Sequence, residues 1–176
     1  GTETIVNTNA AGPLYSPDAS SLSGGGYVVT WTVLNQDGSS YGVYGQQYAS
    51  DGSPVGTEFL INSTTANSQL WQDVAGLGGG GYVVAWSSWQ QDGSQYGIYS
   101  QRYDASGSPV GGETLVNTTT FNAQMMPSVT ALSDGGYLVT WQSWGQDGSN
   151  GGIFAQRFDA AGNAAGDFAP IGDEYF

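Results

Sequence analysis

Gly81-Tyr82-Val83-Val84-Ala85-Trp86, then Gln91-Asp92-Gly93-Ser94, then Tyr96-Gly97-Ile98-Tyr99, is a pattern that the chain carries three times. The first copy runs Gly26-Tyr27-Val28-Val29-Thr30-Trp31 with Gln36-Asp37-Gly38-Ser39. The third runs Gly136-Tyr137-Leu138-Val139-Thr140-Trp141 with Gln146-Asp147-Gly148-Ser149. Trp31, Trp86 and Trp141 stand 55 residues apart, as do Glu3, Glu58 and Glu113, with no insertion between copies. A period of this length marks a unit that cannot bury its apolar faces alone and must stack on its neighbours. The 176 residues therefore read as a single repeat domain, with repeats 3–57, 58–112 and 113–167 and a C-terminal edge strand and tail over 168–176.

Within one copy the residues spell four strands. Asp73 to Leu77 is a short apolar run closed by glycines, and Tyr82 to Trp86 is rich in β-branched and aromatic residues. Tyr96 to Tyr103 follows the Gln-Asp-Gly-Ser loop, Ala105 to Gly111 is turn chemistry, and Glu113 to Asn117 is a last strand. No 3.6-residue periodicity appears anywhere, so the chain reads as all-β. Tyr27, Val29 and Trp31 share one face and Val28 and Thr30 the other, so neither face is strongly polar. Sheets covered on both sides match β-propeller-like blades. Three blades are too few to close a propeller, and two chains supplying six make a homo-oligomer the simplest closure, with an open polymer as the other route. The alternative is a three-fold β-trefoil or β-prism completed by one chain. Glu3 to Asn7 repeats the last strand of a unit, which predicts a spare edge strand at the start. Asp167 to Ile171 reads as a degenerate copy of the same strand.

Composition excludes several functions. A net charge of −13, from 15 acidic residues against two arginines, repels phosphate, so no nucleic acid and no anionic membrane surface is expected as a partner. With no cysteine and no histidine, thiolate nucleophiles, disulfides, structural zinc and Ser-His-Asp triads are ruled out. No apolar run approaches the roughly 20 residues of a membrane span. Nothing in the sequence looks like a signal peptide, so it reads as a mature form or a segment of something longer.

The repeated polar positions are the candidates for function. Gln36 and Asp37, Gln91 and Asp92, and Gln146 and Asp147 sit in the loop between two long strands, with Trp89 and Trp144 just upstream and Leu34 in the first copy. An indole beside amides and carboxylates suits a sugar, the ring stacking on the pyranose and the polar groups fixing hydroxyls. Asp-Gly is also the commonest tight-turn pair and needs no ligand to explain it. Asp37, Asp92 and Asp147 are the metal-ligand candidates, and calcium the cation to weigh. No Asp-x-Asp-x-Asp-Gly run is present, so a site would need one Asp plus several carbonyls. Gln46, Gln101 and Gln156 read as structural clips, and Glu3, Glu58 and Glu113 as solvated or arginine-paired groups. Asn62-Ser63-Thr64 and Asn117-Thr118-Thr119 are glycosylation sequons. Asp18 and Asp73 recur where the third copy has Ser128, a weak sign of paired carboxylates.

The whole pattern, including Tyr96-Gly97-Ile98-Tyr99-Ser100-Gln101-Arg102-Tyr103-Asp104-Ala105, resembles a tandem repeat of very large secreted bacterial proteins. Those proteins are adhesin-like or hemolysin-type calcium-binding (RTX-like). The resemblance covers residues 3 to 167 and implies a secreted or cell-surface setting with an adhesive or ligand-binding role. The Gly-Gly-x-Gly-x-Asp nonapeptide is missing, so a calcium β-roll does not follow. The expectation is a non-catalytic extracellular module, not an enzyme, that binds a carbohydrate or cell-surface glycan in lectin or adhesin fashion. The alternative is a structural self-assembling surface or fibre subunit joined by edge-strand exchange.

Overall fold

The computed structural model describes residues 2–9, 12–148 and 150–166. The described residues form eleven strands in three antiparallel sheets and no helix. The first sheet is β1 (Leu14–Ser21), β2 (Tyr27–Leu34), β3 (Tyr41–Tyr48) and β4 (Pro54–Leu60), paired in chain order. The second repeats it with β5 (Gln69–Gly76), β6 (Tyr82–Trp89), β7 (Tyr96–Tyr103) and β8 (Pro109–Leu115). The third has β9 (Gln124–Ala131), β10 (Tyr137–Ser143) and β11 (Gly152–Phe158), with one further bridge from Phe158 to Ala164. The expected last strand at Asp167 to Ile171 and the tail 168–176 lie outside the described residues.

The sheets stack face to face through the residues that the strand alternation marks as apolar on both sides. Val28 and Val43 of the first sheet meet Tyr82, Val84, Trp86 and Tyr99 of the second. Val83, Ala85 and Ile98 of the second meet Tyr137, Val139, Trp141 and Phe158 of the third. Trp31, Trp86 and Trp141 are thus core, at 4%, 0% and 5% exposure. A stacked aromatic pair crosses each sheet: Tyr27–Tyr48, Tyr82–Tyr103 and Tyr137–Phe158, with centroids 4.9, 4.7 and 4.7 Å apart. These are three separate sheets, not the shared barrel of a trefoil. The result is a β-propeller-like all-β fold with repeats.

The expected strand at Glu3 to Asn7 is corrected, since residues 2–9 form none. They run over the first sheet, where Val6 packs against Trp31, Val33 and Tyr44 and its carbonyl accepts the Tyr48 hydroxyl at 3.4 Å. Ile61 takes that role one unit on, its carbonyl accepting the Tyr103 hydroxyl at 3.4 Å. The segment therefore copies the linker that follows a fourth strand rather than the strand itself.

The two sequons are also placed in the core. Asn62 is 1% and Asn117 2% exposed, and their Oδ1 atoms accept the backbone N–H of Val43 and Ile98 at 2.7 and 2.6 Å. Each caps a third strand, and burial closes both to glycosylation.

Candidate functional site

The Gln-Asp-Gly-Ser loops are built first as turns. Asp37 Oδ1 accepts the Ser39 N–H at 3.0 Å and Asp92 Oδ1 that of Ser94 at 3.1 Å, while Gly38, Gly93 and Gly148 take φ of +88°, +90° and +85°. Ser149 lies outside the described residues. The other oxygen of each aspartate tucks under the loop: a Cβ on Gly42, Gly97 or Gly152 would meet Oδ2 of Asp37, Asp92 or Asp147 at 2.7, 2.5 and 2.6 Å. The glycine two residues before each aromatic of the third strand is what makes room for that carboxylate. Burial first, then the charges of Asp37 and Glu58, pushes the Tyr44 hydroxyl up to about 12, and Tyr99 repeats this beside Asp92 and Glu113.

The glutamines of these loops also point inward. Gln36 Nε2 donates to Glu58, which accepts the Thr8 N–H at 2.8 Å and the Thr8 hydroxyl at 3.1 Å. Gln91 Nε2 donates to Glu113 at 2.8 Å, and Glu113 also accepts the Ser63 N–H and the Thr64 hydroxyl. Glu58 and Glu113 are therefore neither simply solvated nor arginine-paired, but ties between loop, fourth strand and entering linker. Burial works to raise the Glu58 carboxyl, yet the donors from Gln36, Thr8 and Asn9 together hold it below its ordinary value. In the third copy Gln146 Oε1 instead accepts the Ser143 hydroxyl at 2.8 Å. Gln46 and Gln101 clip the edge strand, donating to Val55 O at 3.2 Å and Val110 O at 3.4 Å.

The three aspartates weighed as calcium ligands do not share one site. Each candidate aspartate belongs to a different sheet, and Asp37 and Asp92 spend one oxygen on their own turn. No group of three or more acidic side chains is placed to hold a metal among the described residues.

Trp89 and Trp144, by contrast, come together. They line one open cleft of about 430 Å³ between the second and third sheets, with Tyr96, Asn122, Met125 and Asn150. Trp144 is 42% exposed. Tyr96 lies edge-on to Trp89 at 4.7 Å and is flanked on its other side by Trp71 at 5.2 Å. Trp71 and Tyr96 were not singled out from the sequence. Trp71 has no counterpart in the other copies, where Ser16 and Met126 stand, and that break in the pattern was the available signal.

The second constellation is the carboxylate pair. The first strands of the sheets lie side by side, β1 against β5 and β5 against β9. Each carries a bulge, shown by a register shift and by positive φ at Ser16, Trp71 and Met126 (+49°, +55°, +55°). Just past it come Asp18, Asp73 and Ser128. Asp18 Oδ2 accepts the Val74 N–H at 2.9 Å, and Asp73 Oδ2 accepts the Val129 N–H at 2.6 Å and the Ser128 hydroxyl at 2.9 Å. The Asp73 carboxyl is raised above its ordinary value, by burial first and then by a hydrogen bond with Asp18. Two carboxyl groups in hydrogen-bond contact are thus assembled from adjacent sheets, one of them raised by burial.

No family model and no curated protein matches the chain. Among solved structures it is similar to an endo-arabinase from Bacteroides thetaiotaomicron, at 14% identity over 86% of this chain and 58% of that one, TM-score 0.55. An α-L-arabinofuranosidase from Lactobacillus brevis is similar at 11% identity, 85% of this chain and 55% of that one, TM-score 0.52. A protein of unknown function from Dyadobacter fermentans gives 12%, 90% and 54%, with TM-score 0.63. At these identities the likeness is one of fold, and the chain spans little more than half the length of the structures it matches. It nevertheless corrects the expectation of a non-catalytic lectin-like module or fibre subunit. The expectation of "not an enzyme" rested on finding no asymmetric catalytic constellation in the repeats, yet an endo-arabinase and an arabinofuranosidase share this fold.

Proposed function

We infer that the chain supplies three consecutive propeller blades of a glycan-cleaving protein, with β1, β5 and β9 lining the axis. The observation that carries this is the Asp18–Asp73 pair, one acid raised by burial against the other. Glycoside hydrolysis needs a carboxyl that stays protonated to donate to the leaving oxygen and a second carboxylate to activate water or attack the sugar. Within the pair, burial makes Asp73 the group that takes up a proton more readily, which suits the donor role. Asp18, whose oxygens accept backbone N–H groups, lies in hydrogen-bond contact with Asp73, closer than the ~5–10 Å of a glycosidase pair. It therefore positions the acid, and the second role falls to another carboxylate. The Trp89–Tyr96–Trp144 cleft supplies the stacking surface, and β9 links the two places, since Met125 borders the cleft and Ser128 touches Asp73. Arabinose-containing polysaccharide is the first substrate to try, as the endo-arabinase and the arabinofuranosidase share the fold. The resemblance of the repeat to large secreted bacterial proteins supports an extracellular setting.

The test is sugar release from arabinan, arabinoxylan and an aryl arabinofuranoside by the wild-type chain, Asp73→Asn and Asp18→Asn. Loss of the general acid should lower the rate about 10²–10⁴-fold. An inactive wild type, or an Asp73→Asn variant as fast as wild type, overturns the reading.

A further inference from the structure

Neighbouring sheets meet twice in this molecule through equivalent faces, and one such face is left over at either end of the stack. The face of the first sheet that meets the second carries Val28 and Val43, both at 0% exposure; on the second sheet the same positions are Val83 and Ile98, again at 0%. On the third sheet they are Leu138 and Ile153, and Ile153 is 79% exposed. The opposite face behaves as the mirror case. Tyr82 is 0% and Tyr137 1% exposed, each covered by the preceding sheet, whereas the equivalent Tyr27 is 37% exposed. Beside Tyr27, an apolar recess of about 220 Å³ is lined by Val6, Leu14, Tyr15, Val29 and Trp31.

The polar contacts are displaced in the same way. Gln47 Nε2 donates to Ala105 O at 3.4 Å, and Arg102, one unit on, donates to Ala160 O at 2.8 Å and to Ala161 O. The next residue in this series is Arg157. It has no following sheet among the described residues and turns back to Asp134, both side chains being nearly half exposed. The turn that corresponds to Ala105 and Ala160 is Ser50-Asp51 of the first sheet; its acid is Asp51, where the other turns have Ser106 and Ala161 and carry theirs two residues earlier, at Asp104 and Asp159.

We propose that a second copy of this chain docks head to tail, the third sheet of one copy covering the first sheet of the other. Ile153 and Leu138 fill the place over Tyr27 and Val29 that the preceding sheet fills inside the chain, and Arg157 meets the Ser50-Asp51 turn. The occupant is specified by the repeat itself: the two free faces are the two halves of an interface already made twice. Two copies bring six sheets together, within the range of four to eight that closes a ring, and a closed ring leaves neither face open. The inference stands independently of the glycan reading.

Sedimentation and light scattering test it directly. Wild type should have twice the single-chain mass of 18.3 kDa. Ile153→Asp, at a position exposed in the single chain, should keep the near-ultraviolet circular dichroism and weaken dimerisation at least ~10-fold, as expected when a charge enters an apolar contact. Arg157→Asp and Asp51→Arg should each weaken the dimer at low salt, and the double swap should restore it. A single-chain mass at every concentration overturns the proposal and leaves the two faces to sheets of a different chain. Assemblies larger than two copies, or a dimer indifferent to Ile153→Asp, overturn it equally.

Discussion

Asn62 shows how much one buried amide does here. Its Oδ1 is the acceptor for the Val43 N–H and its Nδ2 donates to Thr64 O at 3.0 Å, all at 1% exposure. Removing it strands a buried N–H, so Asn62→Ala should cost about 1–3 kcal/mol. Urea unfolding checks this, and an unchanged midpoint would show that Val43 finds another partner. Tryptophans divide by the same criterion. Trp141 lies in the core at 5% exposure, and Trp141→Ala should cost ~3–5 kcal/mol. Trp144→Ala, at 42% exposure, should leave the unfolding midpoint nearly unchanged and, under the proposed glycan-cleaving role, raise KM for arabinan. That split was legible in the chain, because Trp31, Trp86 and Trp141 alternate with Val28 and its equivalents along a strand. The roles of Asp37 and Asp92 were not, because Asp-Gly has the same spelling whether it turns a hairpin or faces a ligand. Only the glycines at 42 and 97, open to a tucked carboxylate, hint that the side chain points inward.

At the scale of elements, the period told how many strands a unit has but neither all their starts nor where they bend: β5 and β8 begin at Gln69 and Pro109, four residues before the expected Asp73 and Glu113. The bulges at Ser16, Trp71 and Met126 fall on three unlike residues, so no side-chain pattern announces them. Left-handed backbone there costs an ordinary residue roughly 1–2 kcal/mol, and asparagine less. Met126 is 55% exposed and its N–H bonds the Ser87 hydroxyl at 3.1 Å, a bond that any residue keeps. Met126→Asn should therefore stabilise the chain by up to about 1 kcal/mol. A lower melting temperature would mean that the methionine side chain holds the bulge. The bulge also explains why the Asp18–Asp73 pair looked weak in sequence: it re-aims the strand immediately before the carboxylates, and only neighbouring first strands bring them together.

The whole molecule carries −13 with two arginines, and its pH response is set by which carboxylates folding perturbs. Glu58 is held below its ordinary value, so the stability it contributes is present at neutral pH and lost as pH falls through the carboxylate range. Asp134, bonded by the Gly136 N–H and then by Arg157, acts in the same direction. Asp73 has the opposite sign: raised by burial, it destabilises the fold while charged and ceases to do so once protonated. Wild type should therefore melt lower below about pH 4, where the lowered groups gain protons. Asp73→Asn keeps an oxygen for the Val129 N–H and removes the charge beside Asp18. It should melt higher than wild type at pH 7, and the gap should close on acidification as Asp73 itself becomes neutral. Melting curves of the two proteins between pH 3 and 8 decide the matter. A gap that persists unchanged at the acid end would show that packing, not charge, separates them, and would remove Asp73 as the raised carboxyl of the pair.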